Sequence, residues 1–332
     1  YEDIAMNSFD YATAASASEA VAALAETPET RILAGGTDLL TLMKAGLAAP
    51  PRLLDIKPAR ELRALRFEAD GSLRIGALAT LADLERNAEV AARLPLLPQS
   101  VRDAATPQLR AMATVGGNLL QRTRCWYFRG DFDCWLKGGE TCFARDGENK
   151  YSAIFDQSPC VAVHPSDLAP ALVALDAEVL LEGRGGAHAM PLSDLLAAPT
   201  PDHRAEHRLP SGDVIVAVRV PAQPEGARGV YLKAMDRHAW AFALTSAAVQ
   251  LALRDDVVTH ARLVLGGVAN IPWRARAAED LLVGQQFTAD LAARAAEAAI
   301  GGAVPLSHNG YKAPQVRELA RRALLAAAGL RP

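Results

Sequence analysis

Apolar positions recur along the chain with helical and strand periods in alternation. Ser16-Ala17-Ser18-Glu19 fits a capping box, in which a hydroxyl and a carboxylate satisfy free N–H groups at a helix start, and Ala20, Val21 and Leu24 follow as its buried stripe. The short apolar run Arg31-Ile32-Leu33-Ala34 predicts a strand that ends in Gly35-Gly36-Thr37-Asp38, after which Leu39, Leu40, Leu42 and Met43 resume helical spacing. Further strands are predicted over 52–56 and in a hairpin of 62–67 and 73–75 about Asp70-Gly71, a favoured turn pair. Thr80 and Asp83 mark a helix start, and a helix near 95–105 leads into a second glycine turn, Ala113-Thr114-Val115-Gly116-Gly117-Asn118. From Pro165 the pattern continues: Ser166-Asp167 caps an apolar helix through Leu168, Leu172 and Leu175, with strands over 178–181 and 214–220. The final third predicts a long hairpin of 244–253 and 257–268, then helices over 275–283, 289–300 and 314–325. Strands followed by helices there imply a separate small domain beginning near residue 225, in a chain of α+β (mixed α/β) class without internal repeats.

One stretch, about 123–163, has no sustained period. It holds all four cysteines, Cys125, Cys134, Cys142 and Cys160, and the aromatics Trp126, Tyr127, Phe128, Phe132, Trp135, Phe143, Tyr151 and Phe155. Cysteines placed to staple a whole fold would be spread along it, so the clustering predicts a local site inside an inserted module, whose order would depend on something binding the cysteines. The remaining composition changes less. A chain of 332 residues, 50% apolar and 22% charged with a net charge of −3, predicts two or three globular domains. No apolar run approaches the roughly 20 residues of a membrane span, and the absence of Lys/Arg blocks argues against nucleic acid as a partner. The opening Tyr1-Glu2-Asp3-Ile4-Ala5 carries neither the basic nor the apolar region of a signal peptide, and the absence of an initial Met leaves room for upstream sequence.

Both glycine turns could present backbone N–H groups to a phosphate, since glycine lets the main chain approach an anion closely and Thr or Asn adds a donor. Neither is a Gly-x-Gly-x-x-Gly fingerprint, so a standard Rossmann site is not indicated. Each alone also reads as ordinary loop punctuation; two in one domain favour a pyrophosphate cradle. The cysteines run Cys-x8-Cys-x7-Cys-x17-Cys. Four thiolates suit an iron–sulfur cluster or zinc, and disulfides or free thiols stay open as well. The short Cys-x2–4-Cys knuckle usual in zinc sites is absent, and aromatic neighbours would shield a redox cluster. His164 and His238 are lone histidines without ligand spacing, read as loop or surface residues and not as catalysts, and no hydrolase elbow or Walker sequence occurs.

Several of these motifs together resemble one family, the FAD-binding medium subunit of molybdenum hydroxylases, the xanthine dehydrogenase and carbon monoxide dehydrogenase group. The resemblance rests on Ala34-Gly35-Gly36-Thr37-Asp38-Leu39-Leu40, Ala113-Thr114-Val115-Gly116-Gly117-Asn118-Leu119, Pro165-Ser166-Asp167-Leu168, Tyr231-Leu232-Lys233 and Leu265-Gly266-Gly267-Val268-Ala269, and covers nearly the whole chain. It implies a two-subdomain FAD-binding fold of PCMH type with a cysteine-rich insertion, plus a C-terminal α+β domain like that of carbon monoxide dehydrogenase flavoprotein. The expected divisions are 1–60, 61–224 with the insertion at about 123–163, and 225–332. By the same resemblance Ile32, Leu33, Ala34, Gly35, Gly36, Thr37, Asp38 and Leu39 would wrap the FAD pyrophosphate, faced by Thr114, Gly117 and Asn118. Asp167 would accept hydrogen bonds from the ribose or adenine end, Ile215 would pack near the cofactor, and Lys233 would offer a positive donor. Ala104 stands where some relatives place an aromatic beside the flavin ring.

The insertion is similar to those of the branch that carries an extra 4Fe-4S cluster, the periplasmic aldehyde oxidoreductase FAD subunit and the 4-hydroxybenzoyl-CoA reductase β subunit; the run from Asn118 to Cys125 and then Tyr127-Phe128-Arg129 is particularly like the former. All four cysteines would be ligands. The implied role is electron transfer within a heterotrimer, single or dimerised, of this chain with a large molybdenum-cofactor subunit and a small 2Fe-2S subunit. Electrons would pass through FAD to a small-molecule or protein acceptor. No residue of this chain is expected to act as acid or base on substrate. The compartment would be the cytoplasm, or the periplasm if the chain were exported folded with a signal-bearing partner. Alternatives are a 4-hydroxybenzoyl-CoA reductase-like β subunit and, from another class, a structural zinc-binding assembly subunit, which would leave both glycine turns and Asp167 without a role.

Overall fold

The computed structural model describes residues 6–237 and 239–331; the opening residues 1–5 and His238 lie outside the described residues. Three sheets organise the chain. The first is parallel, with β1 (Asp10–Thr13), β2 (Arg31–Leu33) and β3 (Arg52–Asp55) in the order β1-β3-β2. Its connecting helix, Ala17–Glu26, buries Ala17, Ala20, Val21 and Leu24 beside Leu54 and Ile56. Ser16 Oγ accepts from Glu19 N at 3.2 Å as the capping pattern predicts, while the Glu19 carboxylate takes Ala15 N at 2.7 Å, one residue earlier than a strict capping box.

The second sheet is antiparallel: β4 (Leu65–Phe67), β5 (Leu73–Gly76), β6 (Glu178–Gly183), β7 (Gly186–Pro191) and β8 (Val214–Val220), in the order β4-β5-β8-β6-β7. Its first hairpin starts later than predicted, because Arg60–Arg63 closes a 3-10 turn that buries Leu62. The edge strand β7 was not anticipated: Gly-Ala-His-Ala-Met-Pro is almost wholly exposed, so it lacks the apolar alternation that marks a half-buried strand. Leu96, Leu97, Leu168 and Leu172, all fully buried, share one apolar cluster with Leu73, Ile75, Val179 and Val218 of this sheet, each contributing about 1.5–3 kcal/mol by leaving water.

The third sheet has the order β12-β11-β10-β9, from β9 (Arg228–Ala234), β10 (Thr245–Arg254), β11 (Val257–Gly266) and β12 (Trp273–Arg274). The predicted hairpin turn is Asp255-Asp256, both left-handed at φ 51° and 61°, as a two-residue hairpin loop requires. Helices Arg276–Leu282, Ala289–Ala299 and Lys312–Ala327 share one apolar core with this sheet.

The cysteine-rich stretch contains only two short helical turns, Trp126–Arg129 and Trp135–Lys137. The sequence predicts that its order depends on a bound group; protein contacts hold its later part, residues 151–162, to the C-terminal domain. Ile154 N and Phe155 N donate to Val268 O at 2.8 and 3.2 Å, and Phe155 stacks on Trp273 with centroids 3.9 Å apart. Lys312 Nζ donates to Tyr151 O, Ser152 O and Gly267 O at 2.9, 2.9 and 2.7 Å, and Asn270 Nδ2 reaches Cys160 O and Ala162 O. Ile154 and Phe155 therefore belong to the C-terminal core, while Phe128, Cys134, Trp135, Leu136 and Cys160 form a separate apolar cluster with Leu42.

Candidate functional site

The two glycine turns, about 80 residues apart in sequence, are in contact. A Cβ on Gly35 would lie 1.9 Å from Met112 O, so only glycine lets the β2 turn press against the approach to the second turn. Gly36 follows with φ +71°, a conformation that disfavours any side chain. The second turn is fixed from the other side: Val115 N and Gly116 N donate to Ala79 O and Ala77 O at 2.8 and 2.9 Å, and Thr114 Oγ1 accepts from Gly117 N at 3.2 Å. Ile32, Leu33 and Ala34 form the strand and its end, Leu33 buried, and Leu39 opens the helix Leu39–Lys44. No side chain caps that helix, which leaves its first turn to other acceptors.

Asp38 occupies the capping position but turns its carboxylate elsewhere. It accepts from Arg122 N at 2.8 Å and Arg129 Nη2 at 2.9 Å, and pairs with the Arg124 guanidinium. Burial acts to raise its pKa, but Arg124, the Arg122 amide and Arg129 together hold it below the ordinary carboxylate value. Arg124 Nη2 also donates to Gln121 Oε1 at 3.0 Å, and Gln121 Nε2 to Asn118 O at 2.9 Å, so both glycine turns share one network. Asn118 Oδ1 in turn accepts from Ser166 Oγ at 2.6 Å. Gln121, Arg124 and Arg129 lie in the run quoted for its likeness to the aldehyde oxidoreductase branch, but no local pattern there marks them as one network with Asp38.

Ser166, not Asp167, caps the helix Leu168–Ala174, through Ala169 N at 2.9 Å. Asp167 is thereby free to take Lys233 Nζ and Tyr231 OH, each at 2.8 Å. Burial raises the Asp167 pKa, and Lys233 and Tyr231 oppose that. Lys233 completes its three donations with Asp103 O and Ala241 O at 3.0 and 2.9 Å, which places its ammonium next to Ala104. Ala104 is buried and gives its carbonyl to Arg110; Ile215 is buried on β8 opposite Leu181. His164 is enclosed and held neutral, its pKa lowered by burial to about 4.

All four cysteines are free thiols and line one cavity of about 10 Å³, room for a single water, walled by Tyr127, Phe128, Trp135, Leu136 and Phe143. Backbone N–H groups point at the sulfurs: Tyr127 and Phe128 toward Cys125, Ala144 and Val161 toward Cys142, Ala162 toward Cys160. The Cys160 thiol donates to Cys142, lowering Cys142 to about 6 and raising Cys160, while burial raises Cys125. Among the described residues no three Cys, His, Asp or Glu side chains are grouped as ligands of one metal ion. Four soft donors ringed by amides around a shared space fit a polynuclear anionic cluster by donor chemistry, since hydrogen bonds to the sulfurs stabilise negative charge there. A cleft of about 440 Å³ between Ser18, Val21, Glu26, Glu182 and Arg184 contains none of these residues.

Comparison with known proteins gives the same outline. Residues 7–223 match the FAD binding domain in molybdopterin dehydrogenase, and residues 230–327 the CO dehydrogenase flavoprotein C-terminal domain. The chain is similar to the aldehyde oxidoreductase FAD-binding subunit of Escherichia coli, 37% identical over 82% of this chain and 86% of the relative. It is also similar to the carbon monoxide dehydrogenase medium chain of Hydrogenophaga pseudoflava, 29% identical over 96% of each. A solved structure of carbon monoxide dehydrogenase from that organism superposes with a TM-score of 0.78 at 29% identity, covering 98% of this chain and 99% of the other. No helix among the described residues is long and apolar enough to cross a membrane.

Proposed function

The chain belongs to the FAD-binding medium subunits of the xanthine dehydrogenase and carbon monoxide dehydrogenase group, and from that premise we propose that it is the FAD- and 4Fe-4S-carrying electron-transfer subunit of a heterotrimeric aldehyde oxidoreductase. The observation that carries the cluster is the convergence of four free thiols and five backbone amides on one aromatic-walled cavity, in the segment between the second glycine turn and Asp167. In this reading the turns at Gly35 and Gly117 hold the pyrophosphate, Asp167 and Lys233 set the charge beside the cofactor, and Cys125, Cys134, Cys142 and Cys160 supply thiolates. Bound flavin would supply both one- and two-electron chemistry, which lets single-electron centres serve a two-electron acceptor. Aldehyde oxidation itself is assigned to a large molybdenum-cofactor subunit, with a small 2Fe-2S subunit between it and this chain. The 37% identity to an aldehyde oxidoreductase subunit favours that substrate class.

Metal and flavin analysis of anaerobically purified protein tests the reading. Iron and acid-labile sulfide near four per chain with one FAD are expected on cofactor grounds. Cys134→Ser should remove the iron, because Cys134 is buried in the cavity wall and serine is a poor soft ligand. A colourless protein holding one zinc would overturn it, and so would unchanged iron in the variant. Activity of the reconstituted complex on aldehydes, but not on purines or aromatic acyl-CoA esters, is the expected substrate pattern.

A further inference from the structure

Asp38 closes the first glycine turn, and Cys125 stands near the start of the insertion, 87 residues later, yet a short chain of contacts joins them. The Asp38 carboxylate is held by Arg122 N, Arg124 and Arg129. Arg124 precedes Cys125 directly, and Arg129 ends the single helical turn Trp126–Arg129, whose amides at Tyr127 and Phe128 point at the Cys125 sulfur. Arg129 also ties back to Thr123 O at 2.9 Å and Arg122 O at 3.1 Å, and Cys125 N donates to Thr123 Oγ1 at 3.2 Å. Through Gln121 the same network reaches Asn118 in the second turn. We propose that Asp38, Arg124 and Arg129 are positioning residues that couple the two cofactor sites, so that filling the cysteine site strengthens FAD binding and the reverse. The inference rests on the reading of these sites as holding a cluster and FAD.

The physical reason lies in charge and in segment order. The FAD pyrophosphate is anionic, and a bare carboxylate beside the Gly35-Gly36 turn would repel it. Two guanidinium groups neutralise Asp38, but only while segment 122–129 holds its shape. A single helical turn is too short to be stable alone, so whatever fixes Cys125 also fixes Arg124 and Arg129. Release of Cys125 from a cluster loosens the segment, leaves Asp38 less neutralised and weakens FAD. Reciprocity of binding free energies then requires that FAD tighten the cluster by the same factor.

The test is FAD titration of the full-length chain by flavin fluorescence, iron-loaded and iron-depleted. For the wild type, the Kd for FAD should rise on the order of tenfold on iron depletion, within the usual span of coupling between sites. In Asp38→Asn, which keeps the shape and removes the charge, the ratio of the two Kd values should fall toward one. Arg124→Ala with Arg129→Ala should also lose the ratio while still binding iron, and Lys at both positions should restore part of it. A wild-type Kd indifferent to iron overturns the coupling, as does a ratio that survives intact in Asp38→Asn. Failure of the underlying reading looks different, since protein that takes up no iron or no FAD at all fails before any ratio is measured, and the coupling falls with it.

Discussion

Asp167 concentrates the site's electrostatics in one carboxylate. It is 6% exposed and its partner Lys233 2% exposed, so neither charge is screened by water. Removing one member of such a pair leaves the other charge buried without compensation, at a cost of about 3–5 kcal/mol. Asp167→Ala should therefore destabilise the chain by that order, read as a shift in the denaturation midpoint, and lower the FAD-to-protein ratio. Asp167→Asn keeps an acceptor for Tyr231 and should lose FAD with a smaller loss of stability. Full flavin retention in both variants would count against a cofactor role for this residue. The sequence named Asp167 and Lys233 separately, from motifs 66 residues apart, but nothing in periodicity or spacing says that they neutralise each other. Pairing of that kind is decided by how one sheet packs on another helix, which no local pattern records.

At the scale of elements, the insertion shows what composition can and cannot reveal. Clustered cysteines and a lost period located it, and all four thiols do face one cavity. What stayed hidden is its anchoring, because Lys312, Asn270 and Asn309 belong to ordinary-looking helix and loop positions far along the chain. Among the described residues Lys312 has no carboxylate partner; its three donations all go to backbone carbonyls, two in the insertion and one at Gly267. Lys312→Met would leave those carbonyls buried without a donor, a loss of about 1–3 kcal/mol, and should speed amide exchange over residues 152–155. Burial also lowers Lys312 to about 7 against an ordinary 10.5. Between those values the unfolded chain holds the proton more fully than the folded one, so this group favours folding increasingly as pH rises from about 7 to about 10.5. The gap in unfolding free energy between wild type and Lys312→Met should accordingly widen with pH across that window. A gap that is constant or narrows would show that the ammonium stays fully protonated in place.

For the whole molecule, the two family matches meet between residues 223 and 230, but the energetics do not divide there. Tyr231 and Lys233, the donors to Asp167, lie on β9 of the third sheet, and the insertion's Ile154 and Phe155 bond to Val268 beyond β11. A fragment ending at residue 223 would keep Asp167 without its cation and the insertion without Lys312, Asn309 and Trp273. The ion-pair loss alone is about 3–5 kcal/mol, and a whole domain is held by only about 5–15 kcal/mol, so the added loss of the Phe155–Trp273 stack and the Lys312 clamp should exhaust the margin. The fragment is expected to be unfolded or aggregated and free of both FAD and iron, as judged by circular dichroism, gel filtration and cofactor analysis. Asp167→Asn within the fragment should recover part of its solubility by removing the unpaired charge, without restoring iron. A soluble fragment with full flavin would mean that the C-terminal sheet merely covers the proposed cofactor site and that Lys233 is not needed to wall it.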